Sequence, residues 1–325
     1  MRLRSLCCLL ALALPTASAG AQDVAVDTTA VVCPDSLSPR GLRVCTAGLD
    51  GAAMLHPFAA LLSNGGNPRL GSARAIGKFG HVALGFRLTT AQTVIPDLAY
   101  DGVADTVPVG RRVQFYAPHL DLAAGLAQMV MPMGTVGIDV LLSALFVPEN
   151  RTTAFTVVPG SNTIGGASVS LDWGLRFAFE GEQLPVVSLS IMRRTTPQVR
   201  LGGTTDGNTT AYTFNAKAID VRLFVGKRFG NFEIAAGAGA DLLSGSGEVA
   251  YVDPETDEVG PPLEPDLSGL RLTTALDVGI HAGPLQFVVE GGYRVGSNLG
   301  LTTRFAEVDP NAGRFFGSFG VVVTM

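Results

Sequence analysis

Gly313-Arg-Phe-Phe-Gly-Ser-Phe-Gly-Val-Val-Val-Thr-Met325 is the stretch whose reading decides the fold. Phe315, Gly317, Phe319, Val321, Val323 and Met325 fall on one side of a period-two pattern, and Phe316, Ser318, Gly320, Val322 and Thr324 on the other. One face is apolar and the other small and mixed. A final apolar strand with no polar tail fits a closed barrel whose last strand pairs with its first, because an open edge in lipid leaves backbone groups unpaired.

Ser318-Phe319-Gly320-Val321-Val322-Val323-Thr324-Met325 resembles the C-terminal signal of bacterial outer-membrane β-barrels, with Met325 in place of the usual aromatic last residue. The resemblance implies a barrel in the bacterial outer membrane, with lipid and the barrel-assembly machinery as partners. It names no functional subfamily.

Moving back from that seam, the chain alternates from His81 onward. Strands are predicted at about His81 to Thr90, Val113 to Leu126, Thr135 to Val147, Ile164 to Glu180, Val186 to Arg194, Ala211 to Phe229, Asn231 to Leu242, Gly269 to Ala282, Leu285 to Val295 and Arg314 to Met325. Connections near Pro132, Gly181 to Pro185, Gly230 and Gly283-Pro284 are short, and those between them are long. An even number of strands, about ten within a range of 8 to 14, with short turns at one end and long loops at the other, is an all-β, transmembrane, antiparallel up-and-down barrel. On this plan both termini are expected on the periplasmic side. One Trp and five Tyr make a thin aromatic belt for such a barrel, which Phe179, Phe214, Phe232, Phe287 and Phe315 near strand ends partly supply.

Each face has a distinct character. Val169, Leu171, Trp173, Leu175, Phe177 and Phe179 alternate with Ser168, Ser170, Asp172, Gly174, Arg176 and Ala178. With the apolar face inward this is a soluble, secreted lipocalin-like barrel; with it outward, a membrane barrel with a polar lumen. Glycine, alanine and serine on the second face, where a soluble surface would carry many lysines and glutamates, favour the membrane.

Composition agrees with that placement. The 325 residues are 47% hydrophobic and only 16% charged, against about 25% charged in an ordinary soluble domain. A net charge of -5 with no basic stripe argues against nucleic acid as a partner.

The N-terminal region divides in two. Residues 1–21, with Arg2 and Arg4 ahead of an apolar run and Ala17-Ser-Ala-Gly-Ala21, read as a secretory signal peptide. Residues 22–79 form a segment pinned by Cys33 and Cys45, which read as a disulfide in an oxidising compartment, and 80–325 form the barrel. Within the segment Asp50 is expected to cap a short helix with Met54, Leu55, Phe58, Leu61 and Leu62 on one face, kinked at Pro57. That helix is either a periplasmic lid or a plug in the barrel. Asn64-Gly-Gly-Asn-Pro68 then breaks the chain, and is faintly similar to the N-terminal hatch of long-chain fatty-acid transporters.

The lumen-facing set is Arg87, His119, Asp121, Asp139, Asp172, Arg176, Asp220, Arg222, Glu233, Asp241, Arg271, Asp277, Glu290 and Arg294. It reads as an ion-pair network, with Arg176, Arg222, Arg271 and Arg294 facing Asp172, Asp220, Asp277 and Glu290. His119 and Asp121 share a face, with Ser143 on the next strand, but no sharp nucleophile motif accompanies them, so no catalytic residue is assigned. Asp253, Glu255, Asp257 and Glu264 are spaced in a way that resembles a calcium loop, although Glu258 stands where glycine would make the turn, and a solvated acidic loop is the simpler reading. Asn150-Arg-Thr152 and Asn208-Thr-Thr210 match a glycosylation pattern and fit exposed loops. No cofactor is implied. The functions in view are passive transport of small or hydrophobic solutes, or a structural surface role with a largely occluded lumen. An outer-membrane hydrolase and a soluble ligand-binding barrel are the alternatives.

Overall fold

The computed structural model describes residues 31–148, 156–157, 163–164, 167–181, 184–202 and 207–325. The signal peptide and Asn150-Arg-Thr152 lie outside the described residues. Ten long strands make one closed antiparallel wall: β1 (Val82–Pro96), β2 (Val109–Met131), β3 (Gly134–Pro148), β4 (Ala167–Glu180), β5 (Val186–Thr195), β6 (Thr210–Phe229), β7 (Phe232–Asp253), β8 (Gly269–Ala282), β9 (Leu285–Arg294) and β10 (Arg314–Thr324). Each strand pairs with the next, and β10 closes on β1 from Ala83↔Thr324 to Ala91↔Phe316. The seam is sealed by a reciprocal pair, Met325 N–H to the Val82 carbonyl at 2.9 Å and Val82 N–H to the Met325 carbonyl at 3.1 Å.

Alternation sets the two faces. Leu171, Trp173, Leu175 and Phe177 on β4, Leu189 and Ile191 on β5, and Leu272, Leu276, Val278 and Ile280 on β8 are exposed, whereas the charged partners between them are buried. The apolar face therefore points outward, which a soluble lipocalin-like barrel does not allow. The architecture is that of a bacterial outer-membrane β-barrel with its exposed apolar band in lipid. Phe232, Phe287 and Phe315 sit on the outer face, but Phe214 does not belong to the girdle: it turns inward and stacks on Tyr212, with ring centroids 5.8 Å apart.

Several strands run longer than the alternation predicts. β6 and β7 have 20 and 22 residues, about twice the 9–11 a tilted strand needs to cross the hydrocarbon. Their upper halves project from the long-loop end as a wall, and a helix leans on that wall. This helix, α1 (Pro39–Asn64), has 26 residues and begins well before the predicted cap at Asp50. Ser38 is the real N-cap, its hydroxyl accepting from Gly41 N–H at 2.9 Å, and Pro39 follows at the first helical position. Asp50 instead reaches sideways, accepting from the backbone N–H groups of Thr302 and Thr303 at 3.0 and 2.6 Å. Gly51 packs flush on β6, where an added Cβ would lie 2.4 Å from the Tyr212 hydroxyl.

The course of this segment corrects one expectation. Arg40 and Arg43 bond to Asp101 and to the Gly102 carbonyl in the long loop after β1, and Ser38 bonds to Asp253 at the top of β7. The helix then descends into the lumen, and residues 65–80 continue through it to β1 at the short-turn end. Cys33 thus lies at the long-loop end and Met325 at the opposite mouth, so the two ends of the described chain are not on one side. The physical reason is simple: β1 starts at the short-turn end, and a segment that fills the lumen before it must have entered from the other mouth. Cys33 and Cys45 are disulfide-bonded, with Cα atoms 6.0 Å apart, and the bond ties the entering chain to the second turn of α1.

Candidate functional site

The lumen is built from cross-strand pairs. Arg176 pairs with Asp139, its register partner on β3. Arg87 pairs with Asp121 at 3.2 Å, Arg194 with Asp220 at 2.8 Å and with Asp172 at 3.5 Å, and Arg294 with Asp241 at 2.8 Å, while Arg222 takes the other oxygen of Asp241. The expected facing of Arg176, Arg222, Arg271 and Arg294 with Asp172, Asp220, Asp277 and Glu290 is not what forms. Residues four apart on one strand are separated by roughly 13 Å, whereas neighbouring strands lie about 5 Å apart, so an arginine meets a carboxylate across the ladder first. Arg194, absent from the sequence-derived set, is central; it ends the inward series Ser188, Ser190, Met192 on β5.

The same side chains also grip the segment inside. Wall carboxylates accept from its N–H groups: Glu290 from Asn67 at 2.6 Å, Asp277 from Gly71 at 3.1 Å, Asp139 from Ile76 at 3.1 Å and Glu180 from Ala75 at 2.8 Å. Wall donors reach its carbonyls: His119 to Leu62 at 3.0 Å, Arg222 to Asn64 at 2.8 Å, Arg87 to Asn67 at 3.2 Å and Arg176 to Arg74 at 2.6 Å. Asp277 and Glu290 stand directly opposite in register, with no arginine ion-paired to either among the described residues. Their hydrogen bonds go to the plug and to Ser318, and Asp277 takes the Asn67 side-chain amide at 2.7 Å. Gly66 lets the chain turn here: its φ is +80°, and a Cβ would collide with the Glu290 carboxyl.

His119, Asp121 and Ser143 do meet. Ser143 Oγ donates to Asp121 at 2.6 Å and stands 3.4 Å from His119 Nδ1, while His119 Nε2 is engaged by the Leu62 carbonyl. The serine hydroxyl is thus directed to the carboxylate, and the fully buried imidazole is capped by the plug. A nucleophile relay needs the hydroxyl proton directed to the imidazole and the carboxylate on its far nitrogen.

The acidic loop does other work. Asp253 accepts from the Ser38 hydroxyl at 2.6 Å, from Ser38 N–H at 2.8 Å and from Glu255 N–H at 3.0 Å. These donors, the Ser38 hydroxyl foremost, hold its carboxyl below the ordinary carboxylate value. Asp253, Glu255, Asp257 and Glu264 do not converge on a common point among the described residues.

Beside α1 one part of the upper lumen is left unfilled. A chamber of about 470 Å³ lies between α1 and the upper wall, lined by Leu55, Phe58 and Leu62 of the helix and by Ile95, Phe115, Leu145, Val147, Leu201 and Phe214 of the wall. Thr93, Gln114 and Thr196 are its few polar contacts, with Arg111 and Arg112 also in its lining. Sequence reasoning missed this chamber, since it arises only where a helix narrower than the barrel leaves one side unfilled.

No family model matches the chain, and no curated protein matches it. Among solved structures, the outer membrane protease OmpT from Escherichia coli is 14% identical over 78% of this chain and 100% of its own, with a TM-score of 0.38. The translocator domain of the autotransporter NalP from Neisseria meningitidis is 11% identical over 76% and 89%, at 0.34. The Pseudomonas putida toluene transporter TodX is 9% identical over 75% and 88%, at 0.29. The barrel assignment rests on the strand registers described above, independently of these likenesses.

Proposed function

We propose that the protein is a plugged outer-membrane barrel that takes up a small apolar solute from the cell-surface side. The observation that carries this reading is the chamber beside α1. Its volume of about 470 Å³ falls in the range of roughly 300–1,000 Å³ typical of small-molecule sites. Its lining is aliphatic and aromatic with few polar groups, the composition expected where burial of apolar surface drives binding. The plug bars free diffusion, so passage depends on movement of residues 65–80, which are held by hydrogen bonds to the wall and by the packing of Leu70, Ala73 and Ile76 against inward apolar residues.

Crystals of the detergent-solubilised protein soaked with bromobenzene test it. A bromine peak is expected between Phe58, Phe115 and Phe214, and is expected to vanish in Ala59→Trp, whose indole fills the same space. An unoccupied chamber in the unmodified protein, or bromine persisting unchanged in Ala59→Trp, would refute the reading.

A further inference from the structure

On the other side of α1 from the chamber lies a smaller cavity of about 40 Å³, walled by Met54, Phe58 and Leu61 of the helix and by Arg271, Arg294 and Arg314. Three arginines meet there, and their charge is not balanced. Asp241 is the sole carboxylate ion-paired with any of them among the described residues, and it is fully used: one oxygen pairs with Arg222, the other with Arg294, and the latter also accepts from Thr273 at 3.2 Å. Arg271 is next to Asp241 in register, yet among the described residues its hydrogen bond runs to the adjacent Leu270 carbonyl at 3.1 Å. Arg314 donates, among those residues, to the carbonyls of Gly313 and Asp309. Arg271 is 7% exposed and Arg294 4%, and the Arg294 Nε has no partner among the described residues.

Burying guanidinium groups without counter-charge is costly, and an anion in the cavity removes that cost. Size narrows its identity. One water needs about 10–15 Å³ of such space, so the cavity takes about three to four atoms of that size, enough for a carboxylate with one methyl and fewer than the five of phosphate. Arg271 presents parallel N–H donors that match a carboxylate, Arg294, whose terminal nitrogens hold Pro57, Asn64 and Asp241, adds its Nε, and the Met54, Phe58 and Leu61 walls suit a methyl group behind it. We propose that this cavity binds a small monovalent carboxylate of acetate size, with Arg271 and Arg294 as its principal donors. Because Arg294 also holds the Pro57 carbonyl, the bound anion joins the helix to β8 and β9.

The test is thermal unfolding of the full detergent-solubilised protein against acetate concentration, with ionic strength fixed by the bulky sulfonate HEPES. A saturable rise in the midpoint is expected. Arg271→Gln is expected to need about tenfold more acetate for the same rise, the loss of one charge-assisted contact. Arg314→Gln, at the loop side, is expected to shift the curve in the same direction and serves if Arg271→Gln does not assemble. Crystals soaked in acetate are expected to show planar carboxylate density against Arg271 and Arg294 in the cavity. No saturable rise, an equal rise with chloride, unchanged acetate dependence in the variant that assembles, or a cavity without that density would each overturn the assignment.

Discussion

Asp253 shows how a single residue can hold a whole segment in place. Its carboxylate takes two hydrogen bonds from Ser38 and others from the backbone of its own turn, so its folded acidity lies below the ordinary value near 4. A depressed carboxyl contributes stability that is complete above the unfolded value and is lost as pH falls through the folded one. Amide exchange in the first turn of α1, corrected for intrinsic rates, is therefore expected to stay flat from neutrality to about pH 4 and to rise below it. Asp253→Asn is expected to abolish that step; a step surviving in the variant would assign it to another group. Deeper in the lumen, Arg222 holds both Asp241 and the Asn64 carbonyl. Arg222→Ala is expected to cost about 3 kcal/mol in denaturant unfolding of the reconstituted protein, near the lower end for a broken buried pair because Asp241 keeps Arg294. A loss below about 1 kcal/mol would mean that water replaces the guanidinium there. The inward direction of these residues was legible in the alternation. Their partners were not, since partner choice depends on the register between strands, which no single strand encodes. Arg271 was thus read in sequence as facing Asp277, which bonds the plug instead, while its register partner Asp241 pairs with Arg222 and Arg294.

At the scale of an element, α1 is the part that sequence reading most underestimated. Gly41, Gly48 and Gly51 in its first half lower helix propensity, so the apolar periodicity surfaces only from Met54 onward. Tertiary contact decides the rest: small residues bring the helix against β6 and β7, and burial on several sides stabilises what propensity does not. The signal that could have located its start was Ser38-Pro39, a capping residue followed by proline at the first helical position. The helix and residues 65–80 together fill the lumen, which leads to a measurement. In planar bilayers the unmodified protein is expected to show little steady conductance, and deletion of residues 34–74 is expected to open a stable channel, because the wall's ion pairs run between strands and persist without the plug. Large currents from the unmodified protein, or a silent deletion variant that still assembles, would show that the segment is not what closes the barrel.

For the whole molecule the decisive feature is the direction of threading. Ten strands with closed registers and an outward apolar face were legible from period-two alternation and turn spacing, because each strand carries that signal locally. Which mouth the preceding segment enters was not legible, since it depends on whether that segment lies under the barrel or inside it. Once inside, the geometry has one solution. β1 begins at the short-turn end, α1 fills the lumen above it, and the start of α1, at Ser38 and Arg40, is tied to Asp253 and Asp101 among the long loops. Long loops face the exterior in this architecture, so Cys33 lies at the cell surface, with its disulfide to Cys45 closing the entry. An epitope placed just ahead of Cys33 is therefore expected to bind antibody on intact cells, as is one in the loop at 97–105. An epitope in the tight turn at Gly283-Pro284 is expected to be reached only after the envelope is permeabilised. Labelling of the Gly283 turn on intact cells, with the other two sites silent, would invert the barrel and with it the side from which the chamber is filled.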